Sequence, residues 1–128
     1  MKNAEELFNE YINNIGNPEY LASIFTEDGA IELPYMASMG KGWRTVGKEN
    51  IQKMLTGLRE RSPEFRFLNV KTHIITPNQV FAEYEVDTMM IGKPYKQLYM
   101  GRLVAENGKI KLVREGMDLV AVQKVFGN

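Results

Sequence analysis

From Glu64 onward the apolar residues recur at every second position, and that period limits the fold more than any other feature of the chain. Phe65, Phe67, Val70, Ile74 and Ile75 read as one long strand, turned by Pro77-Asn-Gln79. Val80, Ala82, Tyr84 and Val86 then alternate with Phe81, Glu83, Glu85 and Asp87 in the next strand. Ile91-Gly-Lys-Pro94 is read as a turn, and YKQLYMGRLVAE follows it as a third strand. Asn107-Gly108 is the pair that favours a two-residue type I′ hairpin leading into a fourth. In that last strand Ile110 and Leu112 are expected on one side and Val113 on the other. LVAVQKVF closes the chain as a helical turn or a strand extension.

Before Glu64 the period is helical. Ala4, Leu7, Phe8, Tyr11, Ile12 and Ile15 form one face, with Glu5, Glu6, Asn9 and Asn13 turned to water. Gly16 and Asn17 end that helix, and Asn17 is expected to cap a second, short one whose first residue is Pro18. Thr26-Glu-Asp-Gly29 is turn chemistry, and Ala30-Ile-Glu-Leu33 is a short strand stopped by Pro34. YMASMGKGWRTVG has three glycines and no period, which predicts a mobile loop covering something. A third helix runs from about Lys48 to Pro63, with Ile51, Met54, Leu55 and Leu58 on one face. Two helices, a strand, a helix and four antiparallel strands predict an α+β fold in which a curved sheet packs on helices around a cone-shaped hollow.

A chain of 128 residues suits one domain with a real core. Sixteen basic residues balance sixteen acidic ones, and no cluster of Lys and Arg occupies one predicted face, so nucleic acid is not the expected partner. Without cysteine there are no disulfides or thiolate metal sites, and a single histidine argues against a histidine-rich one. No metal and no cofactor is expected. Neither a signal peptide nor a membrane span is visible, which places the protein in the cytoplasm.

The residues with chemistry each carry two readings. Glu115 shares a strand face with Val113 and Met117. In an apolar pocket its pKa would rise towards the range useful for proton transfer; at the sheet surface it would pair with Arg114 or Lys111. Asp118 stands where a helix N-cap belongs, a role compatible with acid–base work. Tyr11, on the apolar face of the first helix, needs a partner for its hydroxyl, either a ligand carbonyl or a neighbour. Tyr95 and Tyr99 share that ambiguity. His73 is half-exposed or structural on the bland reading and a proton shuttle on the other. Glu32, between Ile31 and Leu33, is expected to face solvent. Trp43, Met36 and Met39 suit a lid over an apolar ligand, or a plug. Met89, Met90, Met100 and Met117 read first as soft core.

This order, with FTEDGAIELP early and ENGKIKLVREGMDLVAVQKVFG late, resembles the NTF2-like superfamily in its SnoaL-like branch. SPEFRFLNVKTHIITPNQVFAEYE is similar to the paired strands of the phenazine-biosynthesis A/B proteins, and the C-terminal stretch to their last strand. The resemblance implies a cone of three N-terminal helices packed on a curved, mixed, mostly antiparallel sheet. It also implies a homodimer, a pocket for a small apolar or aromatic ligand, and acid–base chemistry without a redox cofactor. By the same resemblance Glu115 matches the acting glutamate of the phenazine proteins and Asp118 the acid–base aspartate of polyketide cyclases. Tyr11 matches the oxyanion tyrosine of ketosteroid isomerases. The isomerase base falls on Leu33 and its second acid on Met100, which argues against that activity. The histidine of the phenazine proteins has no match near the third helix, and His73 lies in the next strand. The expected site is therefore Glu115, Asp118, His73 and Tyr11 for chemistry, with Trp43, Met36, Tyr95, Tyr99, Met100 and Met117 around the ligand. A non-catalytic binder and a dimeric module with a self-filled pocket are the alternatives.

Overall fold

The computed structural model describes residues 1–127. Helix α1 (Ala4–Asn13) starts with a capping box: Asn3 Oδ1 accepts the Glu6 N–H at 2.9 Å, and the Asn3 N–H donates to Glu6 Oε1 at 3.1 Å. Such reciprocal caps contribute about 1 kcal/mol. Its face of Ala4, Leu7, Phe8 and Tyr11 is buried as the spacing requires. Pro18 opens α2 (Pro18–Ser23), but the Asn17 side chain makes no capping bond there. Helix α3 (Lys48–Arg61) buries Ile51 and Leu55 and ends at Ser62, whose hydroxyl donates to the Met89 carbonyl at 2.7 Å.

Among the described residues six strands form one sheet in the order β2-β1-β6-β5-β4-β3. They are β1 (Phe25–Glu32), β2 (Arg44–Val46), β3 (Leu68–Ile75), β4 (Gln79–Met90), β5 (Lys93–Glu106) and β6 (Lys109–Met117). Strands β3 to β6 form the expected antiparallel meander, and β1 joins β6 in parallel, so the sheet is mixed. One face packs on the helices; Val80, Ala82, Tyr84 and Val86 of β4 and Tyr95, Tyr99 and Leu103 of β5 all point into it.

Several local expectations change. Among the described residues the fold has four α-helices and a 3-10 helix, not three N-terminal helices alone, because LVAVQKVF forms a full helix α4 (Leu119–Phe126) that returns its Ala121, Val122 and Val125 to the core. The aperiodic segment after Pro34 carries that 3-10 helix (Pro34–Met39) and the edge strand β2. Thr26–Gly29 belongs to β1, with a register shift against β6 between Phe25 and Ala30. The β4–β5 loop is only Ile91-Gly92, both with positive φ, and Lys93 and Pro94 already lie in β5. Asn107 and Gly108 also have the positive φ angles of the expected type I′ turn. Lys111 is an extra residue opposite β5, since Val104 pairs with Leu112 and Ala105 with Ile110. That bulge shifts the alternation by one, so Ile110 and Val113 are both buried in the core and do not face opposite ways. No helix among the described residues is long and apolar enough to cross a membrane.

Candidate active site

Glu115 points from β6 into the core and is only 4 % exposed. Two phenols meet it there. Tyr11, brought by α1, donates to Oε2 at 2.8 Å, and Tyr84, from β4, donates to the same oxygen at 2.5 Å. The other oxygen, Oε1, accepts no hydrogen bond from the described residues, yet no buried side-chain N or O atom among them is left without a partner or access to open space. Oε1 is therefore the atom that faces the cavity which Glu115 lines.

The register makes this contact. Gly101 of β5 lies between Ala82 of β4 and Glu115 of β6. A Cβ at Gly101 would stand 1.9 Å from the Tyr84 hydroxyl. Only a glycine lets the tyrosine reach across β5 to the carboxylate. Phe67, just before β3, packs edge-on against Tyr84 at 4.9 Å and Tyr99 at 5.6 Å between ring centroids, and stacks with Tyr11 at 5.6 Å. Tyr84 and Tyr99 stack at 5.5 Å.

Burial pushes the Glu115 carboxyl above its ordinary range, and the bonds from Tyr84 and Tyr11 only partly oppose that. Tyr11 and Tyr84 are pushed well up, by burial first and by the neighbouring carboxylate second, so both stay neutral donors. Oε2 can accept from both phenols in either charge state. The exchangeable proton of the acid thus belongs on Oε1, towards the cavity.

That cavity has a volume of about 150 Å³. Its walls are apolar: Leu33 and Met36 from the 3-10 turn, Met54 and Leu58 of α3, Phe65 and Phe126. A larger concavity of about 580 Å³ lies on the opposite face of the sheet, open and bordered by charged Lys71, Glu83, Glu85 and Arg114. The smaller one is the candidate site, because a desolvated acid lines it among mostly apolar side chains.

The structure brings together Glu115, Tyr11, Met36, Tyr95, Tyr99 and Met117 around this cavity. It places the other candidates elsewhere. His73 is exposed on β3, with Nε2 2.8 Å from Glu83 Oε2. Asp118 caps α4, accepting the Val120 and Ala121 N–H groups at 2.9 and 3.4 Å, and does not line the cavity. Trp43 is 38 % exposed at the base of the 3-10 loop, where its carbonyl accepts the Leu33 N–H at 2.7 Å. Met100 is 57 % exposed on the outer face, because β5 turns Tyr99 inward.

Tyr84, Gly101 and Phe67 form the site without having been singled out from sequence. A glycine inside a strand was the available signal. Gln97 is another: fully buried, it donates to the Tyr95 hydroxyl at 2.8 Å and clamps the Asp118 backbone, accepting its N–H at 2.7 Å and donating to its carbonyl at 3.0 Å.

A mixed, curved sheet packed on helices, with a buried acid lining an apolar cavity, is the NTF2-like, ketosteroid isomerase-like fold. The chain belongs to the SnoaL-like domain family, whose sequence pattern matches residues 5–113. Among solved structures it is similar to a candidate isomerase from Bacillus subtilis, at 22 % identity and a TM-score of 0.84, covering 98 % of this chain and 94 % of that one. A phenazine biosynthesis-related protein from Pseudomonas aeruginosa shares 20 % identity at a TM-score of 0.77, over 94 % of this chain and 82 % of that one. A candidate polyketide cyclase from Pseudomonas putida shares 17 % at 0.80, over 98 % of both. These likenesses show the NTF2-like fold, and the family match places the chain in its SnoaL-like branch. No curated protein matches the sequence.

Proposed function

We propose that the protein is a cofactor-independent acid–base enzyme that moves a proton on a small cyclic or aromatic ketone. The observation that carries this reading is the state of Glu115: one oxygen tied to two neutral phenols, the other directed into an apolar cavity. As a carboxylate, Oε1 takes a proton from the carbon between the ketone and a neighbouring C=C bond, leaving a dienolate; as the resulting acid, it returns that proton to the far carbon of the dienolate. The bond broken is C–H, the bond formed is C–H, and the enzyme ends as it began. Desolvation brings the acid and base forms closer in energy near neutral pH, which is what such a shuttle requires. Tyr11 and Tyr84 hold the carboxyl in place and are positioning residues.

The test is solvent deuterium exchange at the carbon next to the carbonyl of small cyclic ketones, followed by NMR. Wild-type protein should accelerate exchange, and Glu115→Gln should lower the rate by about 10²- to 10⁴-fold, the usual worth of a positioned acid–base group. The variant's circular dichroism should be unchanged. Equal exchange by both proteins would remove Glu115 from the chemistry.

Leu33 favours a second reading. An apolar residue occupies the cavity wall at the position where the isomerase resemblance calls for a base. A protein that holds an apolar ring without converting it would show ligand-dependent thermal stabilisation in wild type and Glu115→Gln alike, and no exchange in either. Both readings accommodate a homodimer formed through the outer sheet face, where Leu98 and Met100 are 64 % and 57 % exposed. Leu98→Lys should then lower the mass measured in solution.

A further inference from the structure

Besides Glu115, one charged side chain lines the cavity: Arg61, in the last turn of α3. Arg61 is exposed whereas Glu115 is buried, so the cavity they both line has one charged group in contact with solvent and one in the core. Among the described residues no carboxylate lies within salt-bridge distance of Arg61, while Arg44 and Arg114 both pair with Glu32.

Its position is built from two sides. The backbone carbonyl of Arg61 accepts the N–H of Ile91 at 2.8 Å, which ties the end of α3 to the β4–β5 turn. The side chain runs back along α3 over Gly57, where a Cβ would lie 3.1 Å from Nη1. A glycine in the interior of a helix weakens it relative to alanine. Here its bare backbone leaves room for the guanidinium to lie along the helix at the cavity rim.

The volume sets the other limit. A cavity of about 150 Å³ is the size that encloses one benzene-like ring. We infer that the ligand is a single six-membered ring bearing an anionic substituent, with the ring in the apolar cavity and the anion on the Arg61 guanidinium. This rests on the reading of the cavity as a small-molecule site and specifies what that site takes. Arginine suits the task, since its planar fork matches a carboxylate and keeps its charge at every relevant pH.

Benzoate and benzamide differ in charge and hardly in shape, so their dissociation constants, measured by NMR titration, isolate the anion. Wild type should bind benzoate at least about tenfold more tightly, a preference of the size expected of a charge-assisted bond. Arg61→Gln should bring the two ligands to equal affinity while leaving benzamide unchanged, and Arg61→Lys should keep part of the preference. Gly57→Ala should weaken the preference while the thermal midpoint holds or rises, which separates anion binding from folding. Equal binding of both ligands by wild type overturns this inference and leaves the small-molecule reading standing. So does a benzoate preference that survives Arg61→Gln, which would place the anion among the tyrosines instead. Binding of neither ligand overturns the inference and the cavity reading together.

Discussion

Glu32 and Glu115 stand on the two strands that meet in parallel, one on each face of the sheet, and both are nearly buried. Their surroundings differ. Glu32 sits directly across from Arg44 of β2 and Arg114 of β6, and accepts from them at 2.8 and 2.6 Å. Burial alone would raise its pKa, but the bonds and charges of the two arginines outweigh it and leave the group below its usual range. Glu115 meets only neutral phenols, and burial leaves it above that range. Enclosure therefore does not decide what a carboxyl does; the charge of its partners does. On the outer face the arrangement produces a structural ion cluster. On the inner face it produces an acid with one oxygen free for a ligand.

The most severe way to break this contrast is to strip Glu32 of both cations. Arg44→Ala together with Arg114→Ala should cost about 3 kcal/mol in chemical denaturation, since a little-exposed carboxylate is left unpaired. Adding Glu32→Gln should recover much of the loss. If the double variant is as stable as wild type, the cluster is only surface decoration. Gly101→Ala attacks the inner face, and should cost about 1–3 kcal/mol through collision with Tyr84. Tyr84→Phe in that background should restore part of it, as expected of residues in contact.

The pH dependence sharpens the comparison, because the two groups work in opposite directions. Glu115 binds its proton more tightly when folded, so its contribution is complete below the ordinary value of 4.5 and is lost as pH rises through the raised folded value. Glu32 has its pKa lowered from 4.5; its contribution is present above that value and is lost as pH falls through the lower one. Neither slope can exceed one proton, about 1.4 kcal/mol per pH unit. Denaturation across a pH series should show Glu115→Gln flattening the arm above pH 4.5 and Glu32→Gln the arm below it. The reverse assignment would refute the contrast. Asp118→Ala should have the smallest effect, about 1 kcal/mol from the lost cap of α4, with ligand affinity unchanged.

Glu115 could be read as a candidate because parity holds from Val113 to Met117, and that short range contains no bulge. Parity fails just upstream, where Lys111 adds a residue, and no composition rule marks a bulge there. Glu32 does not face solvent as expected; it lies on the outer face but is nearly buried, because arginines from strands 12 and 82 residues away cover it. Tyr84 was visible as an inward residue of β4. Its partner was not, because placing Gly101 between Ala82 and Glu115 requires the β4–β5 loop to be two residues long rather than four. The helices from α1 to α3 follow from their apolar spacing. α4 does not separate from a strand extension, since Leu119, Val120, Val122 and Val125 suit either. Asp118 and Trp43 stand close in sequence to cavity residues, and only the backbone path shows that they point elsewhere.

The parallel pairing of β1 with β6 joins the first quarter of the chain to nearly its last. The contact between Tyr11 and Glu115 spans 104 residues. Contacts so distant must pay loop-closure entropy before they return any stability, which slows folding. During synthesis α1 and α2 leave the ribosome long before β6 exists, with the apolar face of α1 uncovered. Until residue 117 has emerged there is no cavity and no held acid. Under the proposed function, ligand binding would report completed folding of this chain, and a nascent chain stalled before β6 should bind nothing.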